Sequence, residues 1–169
     1  MMLVHEFGHV LGAMATGGQV RRFVWHPLAF SRTDVMPNPM PMVVVWSGPM
    51  VGVLLPLMLA GLSTYFKLQW TYLMQFFAGF CSIANGAYIS LGKINHVGDA
   101  GDMLRLGVPV WYMIIFGCVC IPVGLWLWHR ASPRLGFGRS PHTIHPVHAY
   151  GVFIAGIVIV ILALIAGDR

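Results

Sequence analysis

The sequence predicts an all-α polytopic membrane protein, with about five membrane-embedded helices and a short strand or hairpin after the first. Three observations lead there. Of the 169 residues, 57% are hydrophobic and 9% charged, against about 25% charged in a soluble domain, and the mean hydropathy is +0.75. Four stretches are long and apolar enough to cross a bilayer, which takes about 20 residues. Aromatic residues, among them Tyr65, Trp70, Trp111, Trp128 and Tyr150, gather near the ends of those stretches, at headgroup level. A water-soluble fold of this size cannot hide so much apolar side chain, because more than half of a folded surface is apolar already. The same hydrophobicity excludes disorder. Three cysteines inside apolar runs, Cys81, Cys118 and Cys120, exclude a secreted disulfide scaffold. The chain reads as a single domain over residues 1–169, without internal repeats.

The first element covers residues 1–16 and is closed by Gly17-Gly18 as a helix C-terminus. At 1.5 Å per residue it is too short to span a bilayer. No basic lead precedes it and a His-Glu-x-x-His run interrupts it, so it does not read as a signal peptide. It reads either as a half-helix buried against the other helices or, the favoured expectation, as the later part of a longer helix. Residues 17–42 alternate in character along Gln19-Val20-Arg21-Arg22-Phe23-Val24, which fits a short strand or hairpin.

The predicted spans are residues 43–66, 68–92, 108–128 and 149–167; the second of them carries no charged residue. Pro49, Pro56 and Pro122 lie inside them, as lipid-embedded helices allow when neighbours satisfy the freed carbonyls. Gly48 and Gly52 form a small-xxx-small step that lets another helix approach. The segment 129–148 is polar and rich in Pro and Gly. Its His142, His145 and His148 surround Pro146, which breaks a helix there and keeps the rings off one face. They read as a headgroup-level loop rather than a second metal site. Ten Lys and Arg against five Asp and Glu give a net charge of +5. The basic residues stand singly or in pairs at the ends of apolar runs, so the charge points to lipid headgroups and not to nucleic acid.

The chemistry is concentrated in His5-Glu6-Phe7-Gly8-His9. On a helix, residues i and i+4 share a face one turn apart, so two imidazoles can grip one metal ion. Glu6 lies about 100° away in azimuth, placed to reach a water on the metal rather than the metal itself. Zinc suits such a donor set, with a carboxylate as third ligand and a fourth position open. It lowers the pKa of its water towards ~7, and the glutamate takes the proton as the water attacks a carbonyl. In a chain of this composition the pattern arises by accident on the order of twice in a thousand sequences, and Glu6 is the single glutamate present. A buried ionisable triplet in an apolar segment is costly unless it has a function.

A third protein ligand must come from elsewhere. Asp99 and Asp102, in Gly98-Asp99-Ala100-Gly101-Asp102, are the leading candidates, with His26, Asp34, His96 and the distal histidines as outsiders. The glycines let the backbone turn a carboxylate back towards His5 and His9; the alternative is that either aspartate caps the following helical turn. Asn85, an amide deep in an uncharged span, must be paired, as an interhelical hydrogen bond would do. Cys118, Cys120 and the methionines Met36, Met40 and Met42 read as packing residues.

The stretch from His5 to Val20, the Ser47-Gly48-Pro49 step opening the next span, and Asp99-Ala100-Gly101-Asp102 together resemble the site-2 protease family of intramembrane zinc metalloproteases. The resemblance covers about the first hundred residues. It implies that His5, His9 and Asp99 are zinc ligands and that Glu6 is the catalytic base, and it offers Asn85 a second role, holding the substrate or the oxyanion. It implies a Zn2+ cofactor, a membrane protein or peptide as substrate, and a multi-pass protein of a prokaryotic cell membrane. The family's usual Asp-Gly-Gly is Asp-Ala-Gly here, so Asp102 stays a rival to Asp99. Two other functions fit the residues: a non-catalytic membrane scaffold with a structural metal site, and a metal carrier entered through the histidine loop.

Overall fold

The computed structural model describes residues 1–24, 31–92, 94, 98–137 and 146–167. The chain is mostly helical. Among the described residues it forms α1 (Met2–Ala15), a two-stranded sheet of β1 (Val20–Val24) and β2 (Arg32–Val35), then α2 (Pro41–Tyr65), α3 (Thr71–Gly92), α4 (Gly98–Arg105), α5 (Val110–Ala131) and α6 (Pro146–Gly167), with a 3-10 turn (Ser132–Leu135) closing α5. The expected hairpin after the first helix is present. Its strands are antiparallel, with Arg22 opposite Asp34 and Phe23 opposite Thr33, and an irregularity at Arg21.

Among the described residues, three helices are long and apolar enough to cross a membrane: α2, the segment Val110–Leu135, and Pro146–Ile165 within α6. The expected span at 68–92 forms a 22-residue helix, α3, but does not belong to that set. The reason is visible in its sequence: Gln75, Ser82, Asn85 and Ser90 dilute an otherwise charge-free run. The last helix begins three residues before the expected start. Pro146 does not end a helix but opens one, as suits a residue whose missing N–H would have no helical partner in the first turn. His148 therefore lies on α6, and its Nδ1 meets the Tyr72 hydroxyl at 2.9 Å; His142 and His145 lie outside the described residues, as do His26 and His96.

Helices α3 and α5 pack through small residues. A Cβ on Gly79 would stand 2.8 Å from the Gly124 carbonyl oxygen, so the two backbones touch where a side chain has no room. One buried cluster, Val45, Ile89, Ala100, Met103, Val108 and Met113, ties α2, α3, α4 and α5 together. A second, Ala60, Ala78 and Leu127, closes the other end of the bundle. The outward faces are apolar: Leu54, Met58, Val119, Leu125 and Ile154 are each more than half exposed. Soluble monomers seldom carry such continuous apolar surface, and it matches the three span-length helices.

Candidate metal centre

Among the described residues, the buried acidic and imidazole side chains lie together at one place. On α1, His5, Glu6 and His9 are all buried, at 5%, 6% and 6% exposure. They can be, because α1 and α2 lie close: a Cβ on Gly8 would overlap the Ser47 carbonyl, and one on Gly12 the Ser47 hydroxyl. Gly48 serves the site directly. A side chain there would overlap His9 Nε2 and reach within 2.9 Å of His5 Nε2. The small-xxx-small step of α2 thus has two uses, with Gly48 making room for the imidazoles and Gly52 for Asn85, whose amide would lie 2.9 Å from an added Cβ.

Each imidazole is oriented through its far nitrogen. His9 Nδ1 lies 2.8 Å from the Val44 carbonyl, a group that only accepts, so the hydrogen is on His9 Nδ1. His5 Nδ1 lies 2.7 Å from Asn85 Oδ1. The Asn85 amide nitrogen donates to the Cys81 carbonyl at 2.8 Å, which leaves its oxygen facing His5 as acceptor. Both rings therefore present an unprotonated Nε2 to the interior. This is the outer-shell pattern that fixes tautomer and ring angle in metal-binding histidines.

The third group is Asp99, in the first turn of α4. Its Oδ2 lies 2.5 Å from His5 Nε2 and 3.3 Å from His9 Nε2, and the two Nε2 atoms are 3.2 Å apart. One ligand atom from each of His5, His9 and Asp99 falls within 4.8 Å of the others. Three acceptors facing one another repel unless positive charge lies among them; a single proton satisfies two, whereas a divalent cation satisfies all three. The donor set, two neutral imidazoles and one carboxylate, fits zinc. Burial alone would raise the Asp99 pKa, but in the metal-free protein protonation of the facing imidazoles supplies hydrogen bonds and positive charge that outweigh it and bring it down to about 2, so the carboxylate is in its ligating form.

Between the two aspartates the structure distinguishes clearly. Asp102 is exposed and pairs with Arg105 on the same helix, whereas Asp99 turns to the histidines. Asp34, an outsider from the sequence, pairs with Arg32 at 3.4 Å, both side chains about half exposed.

Glu6 and the imidazole of His9 open on a cavity of ≈ 790 Å³, which Asp99, Tyr88 and strand β2 also line. The Thr33 hydroxyl on β2 donates to Glu6 Oε2 at 2.7 Å. Sequence reasoning did not find Thr33, and no local signal could have, because the bond depends on how the hairpin folds over α1. Tyr88, three residues after Asn85 on α3, was also missed: its ring meets His5 edge-on at 5.8 Å between centroids, and its hydroxyl accepts the Asp99 backbone N–H at 3.0 Å. Its spacing from Asn85 puts both on one helix face. Comparison of the chain with protein-family models, with curated proteins and with solved structures finds no match.

Proposed function

We propose that this protein is an intramembrane zinc metalloprotease, hydrolysing peptide bonds of membrane-embedded substrates. The observation that carries the reading is the convergence of His5 Nε2, His9 Nε2 and Asp99 Oδ2 within 4.8 Å, with a buried glutamate between the histidines in sequence and beside His9 and Asp99 in one cavity. In this reading α1 and α3 are embedded in the bilayer alongside the three span-length helices, giving about five, and the protein is multi-pass.

His5, His9 and Asp99 hold the zinc ion. When bound, zinc supplies Lewis acidity and lowers the pKa of a water to near neutrality. Glu6 takes the proton from the attacking water and returns it to the leaving amide nitrogen. Thr33 keeps one Glu6 oxygen engaged at 2.7 Å, so the other is free for that transfer.

A helical substrate must unwind, since its peptide bonds are hydrogen-bonded and screened from attack. β2 pairs with β1 on one side and lines the cavity through Arg32, Thr33 and Asp34, a position suited to receive an extended segment by strand addition. Glu6→Gln tests the reading: it keeps the metal and abolishes cleavage of a membrane-embedded peptide. A Glu6→Gln protein that still cleaves refutes the assigned base. A chelator that unfolds the protein, with no cleavage by the zinc-loaded form, indicates a structural metal in a scaffold instead.

A further inference from the structure

Hydrolysis at this centre requires more than a base and a metal, because the carbonyl oxygen of the scissile bond gains charge as the water adds. Donors that meet that charge are often worth more than any other single contribution to the rate. Few donors near the ligands are free to do so. The N–H of each imidazole is committed, one to Asn85 and one to Val44. The Thr33 hydroxyl is spent on Glu6. Asp99 and Glu6 are carboxyl groups that accept.

Tyr88 differs from all of these. Its phenolic oxygen accepts the Asp99 N–H at 3.0 Å, and among the described residues its own O–H meets no acceptor. The ring is half-buried, packed on the central cluster and edge-on to His5, so the tip is held in place. The same side chain lines the cavity shared by Glu6, His9 and Asp99. A neutral donor of fixed position therefore faces the space between the ligands and the base.

We propose that Tyr88 is a further catalytic residue, whose phenolic O–H donates a hydrogen bond to the carbonyl oxygen of the scissile peptide. The inference rests on the hydrolytic reading above. In the step it serves, the water oxygen bonds to the carbonyl carbon and its proton passes to Glu6. The C=O π pair moves onto the oxygen that Tyr88 holds. Collapse re-forms the carbonyl, breaks the C–N bond and carries the Glu6 proton to the departing nitrogen. Tyr88 keeps its proton throughout.

The test compares the full-length wild-type chain and Tyr88→Phe in detergent micelles, each loaded with Co2+ in place of zinc. Three quantities are read: the visible Co2+ spectrum with its stoichiometry, cleavage of fluorescein-labelled casein, and the affinity of a phosphinic peptide by titration calorimetry. Tyr88→Phe is expected to keep one Co2+ with an unchanged spectrum. Its kcat falls about a hundredfold at little-changed KM, and the phosphinic peptide, which mimics the tetrahedral oxygen, binds at least tenfold more weakly. Wild-type kcat and phosphinate affinity in Tyr88→Phe overturn the proposal. Loss of Co2+ from Tyr88→Phe also overturns it, since the phenol would then serve only to anchor Asp99. Failure of the hydrolytic reading is distinguishable, because the wild-type chain itself would then bind no Co2+ or cleave no casein.

Discussion

Asn85 Oδ1 accepts the Nδ1–H of His5 at 2.7 Å, joining a residue in the middle of α3 to one on α1, eighty positions apart in sequence. The bond sets which nitrogen of His5 faces Asp99. Asn85 is fully buried and its amide nitrogen is itself tied to Cys81, so the orientation is handed from the backbone of α3 to the imidazole. Of the two roles open to this amide from the sequence, the structure displays the interhelical hydrogen bond.

Asn85→Ala should therefore weaken zinc binding without removing a ligand. Loss of an outer-shell partner typically costs 10–100-fold in metal affinity. Competition against a chromophoric chelator measures it. Wild-type affinity in Asn85→Ala would mean that packing alone orients His5.

The two aspartates should separate sharply. Asp99→Ala removes a ligand and is expected to abolish stoichiometric zinc, whereas Asp102→Ala loses an exposed pair with Arg105, of a kind worth at most about 1 kcal/mol, and keeps its zinc. Metal analysis of the two purified variants decides it, and the reverse pattern would reassign the third ligand.

Glycine substitutions on α2 should depend on what each one faces. Gly48→Ala drives a methyl group into His9 Nε2 and is expected to lower zinc affinity by at least about a hundredfold, since ligand geometry is tight in zinc sites. Gly61 has nothing within 4 Å of an added Cβ. Gly61→Ala should leave zinc binding alone and raise helix stability by up to about 1 kcal/mol. Thermal unfolding in detergent and metal analysis together check both.

Acid should act through Asp99 in the metal-free protein. Its pKa is brought down from 3.8 to about 2, so it contributes stability above the unfolded value, and that contribution is lost as pH falls from about 4 through about 2. Unfolding followed across this window should show a loss in the wild-type chain that Asp99→Asn lacks. An identical acid profile in the two proteins would show that the carboxylate is not paired with the histidines.

The helical character, the hairpin and the His5, Glu6, His9 face were legible in the sequence because each follows from local periodicity. Two imidazoles four residues apart on a helix have few arrangements. The choice of Asp99 over Asp102 was not legible, since both lie on one short helix and the outcome depends on how α4 docks against α1. Thr33, Val44 and Tyr88 were hidden for the same reason: each contributes through a contact with a distant segment, and a hydroxyl or a carbonyl carries no sequence pattern. The sequence reading of α3 as a span singled out Asn85 but not Tyr88, and both serve the site: Asn85 faces His5, and Tyr88 faces Asp99.

Zinc K-edge X-ray absorption on the purified wild-type chain tests the account most directly. It predicts one zinc per chain, with two imidazole nitrogens at about 2.0–2.1 Å and a carboxylate oxygen at about 2.0–2.2 Å, and loss of one imidazole from the shell or of the metal itself in His9→Ala. A wild-type chain that takes up no zinc, or holds it through a shell without imidazole, would contradict it.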